Sequence, residues 1–187
     1  MKFLRSAGMG VALAVMLTGC AMNAPHYAPS IDNVESIKRI GNFTAKVGQV
    51  EAPVTPATPA TLSIRGSSMA SPNPPSYGAY VAEALKQELS MANKLKTDAG
   101  TEISGTLVKN DIDASGFSTG TATISARFVV NKDGKVVFER VKSVDHKWDS
   151  SFVGAVAIPN ALIGYRDTVQ KLLAALYADP DFSNSLK

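Results

Sequence analysis

Apolar residues recur at helical spacing over two long stretches of the chain. Tyr77, Val81, Ala84, Leu85, Leu89 and Ala92 fall on one face, which predicts a helix beginning after Ser76. Lys94 and Lys96 near its end suit the negative pole of a helix dipole. Leu162, Tyr165, Val169, Leu172, Leu173 and Leu176 predict a second helix, with Pro159 near its first turn and Asp179-Pro180 at its end. Asp167 and Lys171 form an acid-before-base pair four residues apart on it. A shorter run, Ile31, Val34, Ile37 and Ile40, has Ser30 as N-cap and Gly41 as stop.

Elsewhere the period is two. Phe43, Ala45 and Val47 alternate with Thr44 and Lys46, predicting a strand to about Val50, and Leu62 and Ile64 make a short one. Ile103, Gly105 and Leu107 mark a strand over 101–109, and Ala122, Ile124, Ala126, Phe128 and Val130 mark the clearest one, over 120–130. The turn signal Asn131-Lys132-Asp133-Gly134 joins it to a partner carrying Val136, Phe138 and Val141. Residues 51–60 space Pro53, Pro56 and Pro59 three apart, as in polyproline II, and 66–76 reads as a loop with Pro72, Pro74 and Pro75. The order argues for an α+β fold: a mainly antiparallel sheet of four to five strands with two amphipathic helices packed on one face.

The amino terminus has a different grammar. Lys2 and Arg5 precede an uncharged stretch from Ala7 to Thr18, the layout of an export signal. The apolar block is short of the roughly 20 residues a membrane span needs. Leu17-Thr18-Gly19-Cys20 resembles the lipobox of bacterial lipoproteins. That resemblance implies cleavage between Gly19 and Cys20, with lipid on the Cys20 sulfur and an acyl group on its new amino terminus. Several acyl chains make attachment effectively permanent where one is marginal. Ala21 and Met22 follow the cysteine in place of Asp, which by the same resemblance implies the outer membrane, periplasmic side. The expected organisation is a signal peptide at 1–19, a lipidated amino terminus and tether at 20–30 that includes His26 and Tyr27, and one periplasmic domain at 31–187.

Composition narrows the function. The chain has 187 residues, 19 Lys plus Arg against 16 Asp plus Glu, a net charge of +3 and 45% apolar residues. Without residues 1–19, which carry Lys2 and Arg5 and no acid, 168 residues remain at +1. Such a near-neutral surface argues against a nucleic-acid partner. With one cysteine there is no intramolecular disulfide.

Chemistry-bearing residues are few. Gly116-Phe117-Ser118-Thr119-Gly120 matches the G-x-S-x-G letters of a nucleophile elbow, and Asp133, Asp145 and His146 follow in triad order. The residues after Gly120 read as strand where the elbow needs a helix. Asp145, His146 and Asp149 hold the residue types of a metal site, but on a strand neighbours 145 and 146 point to opposite faces. Asp111 and Asp113 lack a calcium-loop pattern and read as edge charges. Trp148, the lone tryptophan, is either a core aromatic closing the sheet onto the last helix or an interface anchor. Arg65 is either a partner contact or a surface ion pair. No metal or other cofactor is expected.

The element order, the strand Glu102-Ile103-Ser104-Gly105-Thr106-Leu107 after the Tyr77–Leu89 helix, and the closing helix followed by Asp179-Pro180-Asp181-Phe182 resemble the YajG-type lipoproteins. More distantly they resemble the periplasmic domain of LpoB-like peptidoglycan-synthase activators and CsgG-like secretion lipoproteins. The resemblance implies a non-enzymatic accessory or binding module, anchored to the membrane by lipid, whose partner is an envelope protein or the peptidoglycan machinery. Two alternatives stay open: a lipoprotein that binds a lipid or glycan, and a hydrolase using Ser118 and His146.

Overall fold

The computed structural model describes residues 21–187; the segment read as an export signal, Gly19 and Cys20 lie outside the described residues. Among the described residues there are two sheets and four helices. The main sheet holds β2 (Lys46–Glu51), β5 (Thr101–Asp113), β6 (Thr119–Lys132) and β7 (Lys135–Asp149) in the order β2-β5-β6-β7. The pairs β5·β6 and β6·β7 are antiparallel, and β2 joins β5 in parallel. The α+β class and mainly antiparallel pairing are as the sequence predicts. The second sheet, β1 (Ala21–Asn23), β3 (Leu62–Ile64) and β4 (Ser67–Ala70), is an addition.

Two hairpins turn on the same backbone device. Lys132 pairs with Lys135 across Asp133 and Gly134, which have φ of 52° and 82°. Two consecutive positive φ angles match the right-handed twist of the flanking strands. Ile64 pairs with Ser67 across Arg65 and Gly66, at 52° and 79°. The second hairpin replaces the loop expected after Ile64, because an arginine in the left-handed region gives no local signal.

Both long helices lie where their apolar periodicity requires. The helix α2 (Tyr77–Met91) packs over β2, and α3 (Gly154–Tyr177) packs over β6 and β7. Between them and the sheet, Ile103, Ile124, Phe128, Leu85, Leu89, Tyr165 and Leu172 are fully buried. The Ser76 side chain accepts from the Ala79 backbone N–H, as an N-cap does. Lys94 stands beyond the end of α2; its ammonium donates 2.6 Å to the Gly41 carbonyl and lies 5.3 Å from the Phe43 ring centroid. Pro159 is inside α3, not near its first turn, because the helix begins earlier, at Gly154. Helix α1 (Ile31–Arg39), capped by Ser30, lies against α2 and α3, and α4 (Pro180–Ser185) buries Phe182 against Phe138.

Residues 21–30 are not a free tether. Ala21, Met22 and Asn23 pair in parallel with Ser68, Met69 and Ala70, and Ala24 and Tyr27 are buried. The folded unit therefore includes the ten residues before the expected boundary at 31, because this segment finds backbone and core partners far along the chain. His26 is exposed. The prolines of 51–60 also frame packed structure. Thr55 and Thr58 bridge each other, Thr58 is buried, and the Ala57 carbonyl accepts from the Asn110 N–H at 2.8 Å.

Candidate functional site

Three arrangements collect the polar and aromatic residues: a buried carboxylate cluster, an indole slot, and an apolar tip. The cluster is centred on Glu88 of α2, which has no exposed surface. Its Oε1 accepts from the Tyr27 hydroxyl at 2.5 Å, the Asn33 side-chain amide at 3.0 Å and the Ser30 N–H at 3.2 Å. Asn33 also donates to the Gln170 carbonyl of α3. Glu88 thereby holds the segment leading into α1 against α2. Burial pushes its carboxyl above the ordinary range, and the donated hydrogen bonds restrain part of that rise. The Tyr177 hydroxyl is buried close to the same carboxyl. Burial raises the Tyr177 phenol, and the carboxylate adds to the rise. Glu88 lies among the buried residues of α2 beside Leu85 and Leu89, and nothing local in the sequence pairs it with Tyr27.

The indole of Trp148 fills a slot floored by glycine. Gly120 is its cross-strand partner on β6, and Gly164 faces it from α3; a Cβ on either would overlap the ring. Trp148 is half-buried and packs on the core, with His146 5.9 Å away between ring centroids. This packing is that of a core aromatic closing the sheet onto the last helix. Arg65 is likewise committed internally. Its Nε donates to the Ala114 carbonyl, and its Nη2 donates to the carbonyls of Gly116, at 2.7 Å, and Ser151, at 2.8 Å. A guanidinium bonded to three backbone carbonyls is a staple between loops.

The hydrolase and metal candidates are kept apart. Ser118 is exposed in the β5–β6 loop, which leads into a strand. His146 is paired with Ala122, four residues along β6, or about 13 Å at the rise of a strand. His146 faces α3, where burial lowers its pKa, Lys171 lowers it further and Asp167 acts in the opposite sense. Asp145 points to the other face and accepts from the Thr123 hydroxyl at 2.5 Å. Asp113 accepts from the N–H and hydroxyl of Ser115, which hold its carboxyl below the usual range. Asp111 and Asp149 are exposed. Among the described residues no group of three His, Cys, Asp or Glu is placed to hold a metal ion.

The tip is built from the loops that Arg65 staples. Phe117 from the β5–β6 loop and Phe152 from the β7–α3 loop stack with ring centroids 5.5 Å apart and planes 13° from parallel. They are 74% and 71% exposed, and Val153 and Val156, which follow Phe152 in the chain, are exposed as well. The Ser150 N–H donates to the Ser118 carbonyl at 2.8 Å, fixing the two loops to each other. A separate open groove of about 760 Å³ runs between β2 and α2, lined in part by Val50, Pro53, Pro75, Ala79 and Lys86.

Among the described residues no helix is long and apolar enough to cross a membrane. No family model matches the chain, and no curated protein sequence matches it. Its fold is similar to that of protein XCC0632 from Xanthomonas campestris, described under the family model DUF330. That likeness has a TM-score of 0.56 and 12% identity over 89% of this chain and 94% of the other. A second solved structure, from Caulobacter crescentus and provisionally described as a lipoprotein, matches with a TM-score of 0.49 and 9% identity. It covers 82% of this chain and 93% of that one. At 12% identity the likeness to XCC0632 is one of fold.

Proposed function

We propose that this chain is a lipid-anchored protein of the bacterial cell envelope, facing the periplasm from the outer membrane, and that it acts as a non-enzymatic accessory or binding module. The observation that carries the reading is Leu17-Thr18-Gly19-Cys20 set directly before the first strand, so that an acyl group on Cys20 would hold the folded unit close to a membrane. The element order that resembles the YajG-type lipoproteins supports an accessory role. The separation of Ser118 from His146 supports the absence of a hydrolase site.

Intact-mass analysis of the protein extracted from membranes tests the anchor. The expected mass is that of a chain starting at Cys20 and carrying diacylglyceryl and a further acyl group; an unprocessed or unacylated chain overturns it. Capture experiments with the acylated protein against envelope proteins and peptidoglycan test the binding role, and failure to retain any reproducible partner counts against it. Ser118→Ala and His146→Ala are expected to leave envelope phenotypes unchanged. Binding of a lipid or glycan is the second reading, favoured by the open groove between β2 and α2. A stabilising ligand in a thermal-shift screen would move the proposal there.

A further inference from the structure

The exposed aromatic tip and the point where the chain enters the fold lie at the same end of the molecule. Strand β1 runs parallel to β4, with Ala21 opposite Ser68, and β4 leads away from the Arg65–Gly66 turn. The chain thus enters at the turn and runs away from it. Ala21 is one strand spacing from Ser68, about 4.8 Å. Ser68 is three residues from Arg65, at most about 11 Å of extended chain. The Arg65 guanidinium then reaches the carbonyl of Gly116, the residue before Phe117, and that of Ser151, the residue before Phe152. Cys20 is covalently next to Ala21, with Cα atoms about 3.8 Å apart.

From this geometry we infer that Phe117, Phe152, Val153 and Val156 form a membrane-docking surface, which enters the interfacial region of the bilayer beside the acyl chains on Cys20. The inference rests on the lipid-anchor reading above and adds an orientation to it. Exposed large apolar side chains occur elsewhere in the described residues, but Phe117 and Phe152 are a stacked pair held in place by backbone hydrogen bonds. Contiguous exposed apolar surface on a folded chain marks a contact site. Phenylalanine is among the residues found on membrane-facing apolar surfaces. Anchoring confines the tip near the bilayer, so insertion of two rings needs little further loss of freedom. The three carbonyl bonds of Arg65 fix both loops relative to β3 and β4, so docking would set the orientation of the whole domain, with the β6–β7 turn away from the lipid.

The test uses the full acylated protein in vesicles of phosphatidylethanolamine and phosphatidylglycerol. Acylation blocks the sulfur of Cys20, the only cysteine, so Ser118→Cys provides a single reactive thiol for a spin label. Lys135→Cys, exposed at the start of β7, provides the control. The Ser118 label is expected to be several-fold less accessible to a water-soluble relaxing agent, and more accessible to oxygen, than the Lys135 label. Adding Phe117→Ser and Phe152→Ser should abolish the difference while the protein stays with the vesicles and keeps its melting temperature. Equal water accessibility at the two labels in a protein of the correct acylated mass overturns the docking surface and leaves the anchor standing. An unacylated mass overturns both. A Ser118 label shielded in native membranes but water-exposed in vesicles assigns the tip to a protein partner and also overturns the inference.

Discussion

The Tyr27 hydroxyl donates a 2.5 Å hydrogen bond to the Glu88 carboxylate, joining residues 61 positions apart in a buried setting. Asn33 and the Ser30 N–H donate to the same oxygen, so one acceptor on α2 fixes the whole entry segment. Removing that acceptor leaves the buried Tyr27 hydroxyl and the part-buried Ser30 N–H without it and the Asn33 amide with the Gln170 carbonyl alone, and a buried polar group without a partner costs about 1–3 kcal/mol. Glu88→Ala is expected to destabilise the domain by about 3 kcal/mol or more, and Tyr27→Phe by about 1 kcal/mol. Urea denaturation measures both. Limited proteolysis should cut within 21–30 in Glu88→Ala first, and equal protection of that segment in both proteins would contradict its clamping by Glu88.

Glu88 also sets a pH dependence with a definite sign. Burial raises its folded pKa above the unfolded value of about 4.3. The folded chain then holds this proton at pH values where the unfolded chain has lost it. The group's contribution is full below the unfolded pKa and declines as pH rises through the folded one. His146 works the other way, since burial lowers its pKa and protonation below about 6.5 favours the unfolded chain. The measurement is therefore the stability difference between the parent and Glu88→Gln across pH. The parent should lose stability relative to Glu88→Gln as pH rises from about 4 toward neutrality, and a constant difference would contradict a raised Glu88.

Trp148 stands over glycines on two different elements, so neither tolerates a methyl group without moving the indole. Gly164→Ala is expected to cost about 1–3 kcal/mol despite alanine's higher helix propensity, because overpacking outweighs the propensity gain. As the lone tryptophan, Trp148 reports directly: its emission should shift to the red in Gly164→Ala and Gly120→Ala. Unchanged emission with unchanged stability would show that the slot relaxes.

Arg65 bonds to three backbone carbonyls on two loops. Arg65→Ala is expected to cost about 2 kcal/mol, since hydrogen bonds to a charged group are worth roughly 1.5–3 kcal/mol. The local effect is more telling. Amide exchange should accelerate across 114–118 and 150–153 and stay slow in the middle of β6. Arg65→Lys should rescue little, because one ammonium lacks the planar fork that serves carbonyls on both loops.

Where burial repeats with a local period, the sequence was legible. The face from Tyr77 to Leu89, the alternation from Ala122 to Val130 and the Asp133-Gly134 turn each lie within a window that the structure follows. Trp148 was half legible. Its two readings were both stated, but its slot depends on Gly164, sixteen residues on and on another element. The separation of Ser118 from His146 follows from register, which the G-x-S-x-G letters do not contain.

The sequence by itself determined the class of fold, the two long helices and the β6–β7 hairpin, because hydrophobic periodicity and turn chemistry act over a few neighbouring residues. The letters at 17–20 that resemble a lipobox are local in the same way. Tertiary structure decided that Ala21–Asn23 is a strand, that Tyr27 is core, that Arg65 is a staple and that Phe117 meets Phe152. Each of these depends on a partner 35 or more positions away, and such a partner is chosen by packing and hydrogen-bond satisfaction across the whole fold, for which no local spacing is a code.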